Sequence, residues 1–222
     1  MFKKRPYLLP IIIIVLVLLI DQILKIWVKT HMTIGQEIPI FGNWCMLHFV
    51  ENNGMAFGLE FFGSAGKLVL SLIRIIAVGA IIYYIVYLVK HKASTIILAC
   101  FGLIAAGAFG NIIDSAFYGL IFSESTYFEA ATAFPEGGGY APFLYGKVVD
   151  MFYCPIIDIA HADAPSWIPD FLFGYDERLI FFRPIFNVAD SAITVGLVML
   201  LIFFRRLPRQ SVEERANKKE IK

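Results

Sequence analysis

Apolar residues in this chain gather into four long runs that polar residues interrupt at only a few positions. The first covers residues 7–28 and is uncharged until Asp21 and Lys25; the second, 68–89, holds Arg74. The third, 95–113, is rich in Gly and Ala, and the fourth, 185–204, carries Asp190. Each is long enough to cross a hydrocarbon layer about 30 Å thick, so the pattern predicts four transmembrane helices. Between the first two, residues 37–40 and 46–50 are apolar-rich and joined by Phe41-Gly42-Asn43, which predicts two short strands and a turn. Glu51-Asn52-Asn53-Gly54 should break the second strand. The stretch 114–184 contains Pro135-Glu136-Gly137-Gly138-Gly139, a flexible turn, and enough Phe, Tyr, Ile and Trp to lie on the bilayer surface instead of being disordered. The expectation is one all-α integral membrane domain over residues 1–222: four transmembrane helices, a small β-sheet and an extended loop on the outer side.

Composition agrees. Hydrophobic residues make up 59% and charged residues 17% of the 222, against about a quarter charged in soluble domains. A net charge of +1 speaks against a nucleic-acid partner. The placement of the charges adds orientation, because cytoplasmic loops hold an excess of Lys and Arg. Lys3, Lys4 and Arg5 precede the first run, Lys90 and Lys92 lie in the short turn between runs two and three, and seven Lys or Arg follow residue 204. The far longer 114–184 segment holds only Lys147, Arg178 and Arg183. Both termini and the tail 205–222 are thus expected in the cytoplasm, with loops 29–67 and 114–184 outside. The N-terminus imitates a secretory signal, but no small-x-small cleavage site follows its apolar core, so it reads as a retained anchor. Cys45 and Cys154 share the outer side and could in principle pair, although ordinary loop cysteines are the plainer reading; Cys100 lies within the third run.

Ionisable residues inside a span are costly and usually functional. At 1.5 Å per residue, Asp21 lies roughly 21 Å and Asp190 roughly 22 Å from the cytoplasmic edge, with Asn111 and Asp114 at roughly 28 and 33 Å. Separate helices therefore place polar groups in one outer layer. Asn111 with Asp114, and Asn187 with Asp190, have i,i+3 spacing and share a helix face; Asp21 and Lys25 at i,i+4 suit an intrahelical pair. Gly102, Ala106 and Gly110 form a small-residue stripe that admits a neighbouring helix. Plainer roles exist for most of these. Asp21–Lys25 reads first as a structural pair, Asn111 and Asp114 as interhelical hydrogen-bonding groups, and Arg74 as a snorkelling cation. An ion path would need polar residues through the membrane, and below Asp190 the fourth run offers only Ser191 and Thr194. Asp158, His161 and Asp163 could be imagined as a metal site but read as solvated loop residues, and no metal is expected. Cys45 and His48, three apart in a predicted strand, would point to opposite faces.

In order along the chain, these residues resemble the signal peptidase II family, the bacterial prolipoprotein signal peptidases. Asp21-Gln22-Ile23-Leu24-Lys25 resembles the family's Asp-Gln-x-x-Lys, and Asn52-Asn53-Gly54-Met55-Ala56-Phe57 its Asn-x-Gly-x-Ala-Phe. Gly107-Ala108-Phe109-Gly110-Asn111-Ile112-Ile113-Asp114 resembles Gly-x-x-Gly-Asn-x-x-Asp, Val148-Val149-Asp150 matches Val-Val-Asp, and Phe186-Asn187-Val188-Ala189-Asp190-Ser191 resembles Phe-Asn-x-Ala-Asp-Ser. The resemblance implies an aspartic endopeptidase of the bacterial inner membrane, needing no cofactor and acting as a monomer in contact with lipid. It implies that Asp150 and Asp190 are the catalytic pair, although Asp150 sits in an expected loop. Asn111, Asp114 and Asn187 would orient the pair and the substrate, Asn52 and Gly54 would grip the peptide or its lipid, and Asp21 and Lys25 would brace the site. The substrate implied is a prolipoprotein whose cysteine carries diacylglycerol, cut just before that cysteine. Two departures stand out. Ser115 occupies a position where the family usually has Arg, a charge that Lys147, Arg183 or Arg74 would have to replace. The gaps of 36 (114 to 150) and 40 (150 to 190) positions exceed those usual in the family.

Overall fold

The computed structural model describes residues 6–42, 44–53 and 63–203, with side chains from residue 66 onward in the last stretch. Helices α1 (Leu8–His31), α2 (Gly63–Lys90) and α3 (Thr95–Ile113) coincide with the first three apolar runs. All three are long and apolar enough to cross a membrane, the third when counted on to Ile121. The chain divides into two compact units, Met1–Leu19 with Arg74–Phe109 and Ala189–Lys222, and Ile20–Ile73 with Gly110–Val188.

In the first unit α2 and α3 meet at a tight turn, closed by Ala93 N donating to Leu88 O at 3.0 Å and Lys92 N to Val89 O at 3.1 Å. Leu88, Ile97 and Leu98 are buried there against Tyr84, Phe101, Leu200 and Phe203. The small-residue stripe works only in part. Gly102 faces α1, where an added Cβ would stand 3.2 Å from Pro10 Cα. The closest approach falls instead on Gly107, where a Cβ would lie 2.1 Å from the Ala189 carbonyl oxygen. That carbonyl belongs to α5 (Val188–Phe203), the helix of the fourth run. Its 16 described residues rise about 24 Å, short of a full span. Ile185 and Phe186 are not helical as expected: they form a strand, β6.

The second unit holds a four-stranded antiparallel sheet in the order β1-β2-β3-β6, with β1 Glu37–Phe41, β2 Cys45–Asn52 and β3 Val148–Tyr153. β2 ends at Asn52, inside the expected break, and Glu51 and Asn52 still pair with Val149 and Val148 of β3. Neither strand-forming Val148-Val149 nor Asp150 therefore lies in a loop. Phe152 and Tyr153 in turn pair with Phe186 and Ile185, which extracts those two residues from the helix that follows. Between Leu47 and Val50, β2 holds one residue more than β3 across from it, since the pairing steps from Leu47↔Phe152 to Val50↔Asp150. Such a bulge bends the strand and re-aims side chains, and it sits next to the Val50–Asp150 pair.

Side chains alternate along β3. Val149 and Met151 enter a core with Val28, Met32, Phe49, Tyr118, Phe122 and Ala131. Val149, Met151, Phe49 and Val28 are fully buried, each worth about 1.5–3 kcal/mol. Asp150 is thereby turned to the other face. After Ile113 the helix continues as a π-helical turn, Asp114–Tyr118, and a last turn, α4 (Gly119–Ile121). Beyond it the supposedly flexible glycine turn is anchored. Gly139 lies so near Gly119 and Leu120 that a Cβ would fall 2.0 Å from Gly119 O, and Ala141 N donates to that same carbonyl at 2.9 Å. Ala131 N donates to Lys29 O and Ile34 N to Thr126 O, stitching the 122–147 segment to the end of α1. A separate antiparallel pair, β4 (Ile157–Ala160) and β5 (Arg178–Phe181), carries the remaining insertion.

Candidate active site

Residues 21, 25 and 29 lie one helical turn apart, so α1 presents Asp21, Lys25 and Lys29 on one face, and all three are fully buried. Lys25 Nζ stands 2.9 Å from Asp21 Oδ2 and 2.7 Å from Asp114 Oδ2, and it donates to Asn111 Oδ1 at 2.9 Å. An ammonium has three donors, and these three partners occupy them. The expected Asp21–Lys25 pair exists, but it supplies two charges of a three-charge cluster. Gln22 completes the setting: its Nε2 donates to Asp114 Oδ1 at 2.9 Å, and its Oε1 accepts from Tyr118 Oη at 3.2 Å. The π turn starts at Asp114 and puts this carboxylate under β3, where Oδ2 also faces Val149 N at 3.4 Å. Such irregular turns recur at functional sites.

From this cluster a chain of hydrogen bonds leads to Asp150. Asn111 Oδ1, already held by Lys25, accepts from Asn187 Nδ2 at 3.2 Å. Asn187 Nδ2 also donates to Asp150 Oδ1 at 2.7 Å and to Val149 O at 3.2 Å. From the opposite side Asn52 Nδ2 donates to Asp150 Oδ2 at 3.3 Å. Both carboxylate oxygens of Asp150, only 4% exposed, thus accept from asparagine side chains. The Lys25 charge sets the orientation of the Asn111 amide, and that carbonyl in turn fixes which atoms of Asn187 point at Asp150. Asp150, Asn52, Asn111, Asp114, Asn187, Asp21 and Lys25 accordingly form one connected network. Asp190 lies in the first turn of α5, half-buried, with Thr194 Oγ1 donating to its backbone carbonyl at 2.9 Å. A carboxylate suits a helix N-terminus, where the backbone N–H groups carry partial positive charge. Gly54 lies outside the described residues.

A second buried cluster was not anticipated. Lys29 Nζ pairs with Glu51 Oε1 and donates to Ser125 Oγ at 2.9 Å. Glu51 Oε2 faces Lys147 Nζ at 3.4 Å, and Lys147 also meets Glu124 at 3.2 Å. Glu51 pairs across the sheet with Val149, next to Asp150, so this cluster clamps the 122–147 segment to the strand that carries the site. The i,i+4 spacing of Lys25 and Lys29 was the available signal; Glu51 and Ser125 had none.

The cation beside Asp114 is Lys25, while Ser115 is buried and donates its hydroxyl to Asn111 O at 2.9 Å. Lys147 is engaged by Glu51 and Glu124, and Arg183 by Asp176, whose carboxyl those hydrogen bonds hold below its usual range. In the distal insertion Asp158 pairs with Arg178 and His161 with Asp170, so these side chains point to separate partners. His48 pairs with Glu37 at 2.6 Å, whereas Cys45 approaches Cys154.

Comparison with known proteins bears on this arrangement. The family model described as Signal peptidase (SPase) II matches residues 13–206. A lipoprotein signal peptidase of Porphyromonas gingivalis is 50% identical over 195 residues, covering 87% of this chain and 81% of the relative. One from Amoebophilus asiaticus is 37% identical over 205 residues, with 91% and 80% covered. Among solved structures, a bacterial membrane enzyme at 25% identity aligns over 88% of this chain and 86% of its own, with a TM-score of 0.54.

Proposed function

The chain belongs to the signal peptidase II family, and from that premise we propose that it removes the signal peptide from diacylglyceryl-modified prolipoproteins, with Asp150 and Asp190 as its catalytic carboxylates. The observation that carries Asp150 is its setting: a buried carboxylate whose two oxygens accept from Asn187 and Asn52. The motif order along the chain supports Asp190. Amide hydrolysis needs a base to take a proton from the attacking water and an acid to give one to the leaving nitrogen. Two interacting carboxylates that share a single proton supply both, the ionised one as base and the protonated one as acid. The proton belongs to the coupled pair and not to either residue. Asn52, Asn111 and Asn187 orient Asp150, Asp21, Lys25 and Asp114 brace them from below, and Gly54 lies in the motif that would meet the peptide or its lipid.

Four spans with both termini in the cytoplasm, and loops 29–67 and 114–184 on the outer face of the bacterial inner membrane, complete the reading. The Lys and Arg distribution supports it, and so does the fourth apolar run of the sequence, residues 185–204. A diacylglyceryl cysteine is anchored at that same surface.

The test is cleavage of a precursor peptide by the purified protein in lipid or detergent. The diacylglyceryl-modified peptide should be cut on the N-terminal side of its cysteine, and the same peptide with a free thiol should be cut far more slowly. No cleavage of the modified peptide would reject the proposal. Asn187→Ala removes a hydrogen bond to a charged acceptor, worth about 1.5–3 kcal/mol, so kcat/KM should fall roughly 10–150-fold. An unchanged rate in steady-state assays would take Asn187 out of the site.

A further inference from the structure

Cys45 is the first residue of β2 and Cys154 follows the last residue of β3. Met46 stands opposite Tyr153 in that ladder, so the register continued by one residue sets Cys45 opposite Cys154. Opposed residues of antiparallel strands have Cα atoms about 4.5–5.5 Å apart, inside the window of about 4.4–6.8 Å that a disulfide requires. The side chains turn toward each other, with the two sulfurs 2.7 Å apart. Cys45 is buried and Cys154 half-buried. Cys100 lies in α3, within the other unit.

We propose that Cys45 and Cys154 are a modification site, joined by a disulfide that clasps the end of the β2–β3 pair. This rests on the outward-facing reading of both loops, because such bonds persist in oxidising compartments and not in the cytoplasm. The oxidant is a disulfide-bearing exchange partner, either a protein or a small thiol compound. One cysteine thiolate attacks the partner's S–S bond, forms a mixed disulfide and releases one partner thiol. The other cysteine, losing its proton, then displaces the second partner sulfur, so two S–H bonds become one S–S bond and the partner gains two electrons and two protons. Burial, and then the neighbouring sulfur, raise the Cys154 thiol above its usual range, which leaves little thiolate at neutral pH and slows reaction of the folded dithiol.

Two consequences follow for the fold. The bond joins residues 109 positions apart, restricting a long loop of the unfolded chain. It also pins one end of the ladder whose other half holds Asn52 and Asp150, so β3 cannot slip in register.

The test quenches cells expressing the full chain in acid, blocks thiols with N-ethylmaleimide under denaturing conditions, and locates the label by mass spectrometry. One label, on Cys100, is expected without reductant and three after reduction, with a linked Cys45–Cys154 peptide recovered from the unreduced sample. Three labels without reduction would overturn the proposal. Cleavage of the diacylglyceryl peptide is measured in parallel. Cleavage by protein carrying three free thiols would reject the disulfide and leave the peptidase reading intact, whereas linked cysteines without cleavage would do the reverse. The double variant C45S/C154S should lower the Tm of the oxidised protein by roughly 5–10 °C. An equal Tm would reject the clasp.

Discussion

Asp150→Asn is expected to lower the cleavage rate by about 10²–10⁴-fold while the protein still inserts and folds. The substitution keeps the shape of the side chain but removes its capacity to take up or share a proton. Asp150 now accepts from two amide donors, Asn187 and Asn52, one on each oxygen. An asparagine offers one oxygen and one NH2 group, so one of those donors would face another donor. That mismatch costs about 1–3 kcal/mol, a loss a thermal melt will register but one that a folded protein survives. On the two-carboxylate proposal, Asp190→Asn should abolish cleavage to a similar degree. Single-turnover assays on both variants, with melting curves beside them, separate chemistry from folding. Substantial turnover by either would defeat the two-carboxylate proposal.

Lys25→Met should have the largest effect on stability. Lys25, Asp21 and Asp114 are all fully buried, and the ammonium is in contact with both carboxylates. Removing it leaves two buried acids with no cation between them, at a cost of about 3–5 kcal/mol. It also releases the Asn111 carbonyl and so loosens the hydrogen bonds that orient Asn187. Thermal unfolding in detergent should show a large drop in Tm together with weaker cleavage. Removing the charges as a set, with Lys25→Met combined with Asp21→Asn and Asp114→Asn, should recover part of the stability, since neutral groups carry no desolvation penalty of that size. A Lys25→Met variant as stable as the parent protein would show that the cluster does not hold this region together.

Much of the site could be read from spacing. The one-turn interval between Asp21 and Lys25, and the depths of Asn111 and Asp114, marked a polar layer, and the structure joins these residues through Lys25. Asp150 is different. Val148-Val149-Asp150 is too short a stretch to announce a strand by itself, and it becomes one because Glu51 and Asn52 of β2 are there to pair with it. The same sheet explains why Glu51 and Asn52 are still paired at the end of their strand and why Ile185-Phe186 is withdrawn from the last helix. The Lys29–Glu51–Ser125 cluster draws on positions 22 to 96 residues apart, beyond the reach of any local pattern.

The apolar helices follow from local sequence, since a run of some twenty apolar residues must satisfy its backbone internally in lipid. Local sequence also determined which polar residues were costly enough to require partners. Which partners they find is set by long-range packing. Lys25 serves two carboxylates and not one, and Asp150 faces Asn187 and Asn52 from the middle of a strand. Period and composition are local properties of the chain. The hydrogen bonds that aim a carboxylate are made between segments that only folding brings together.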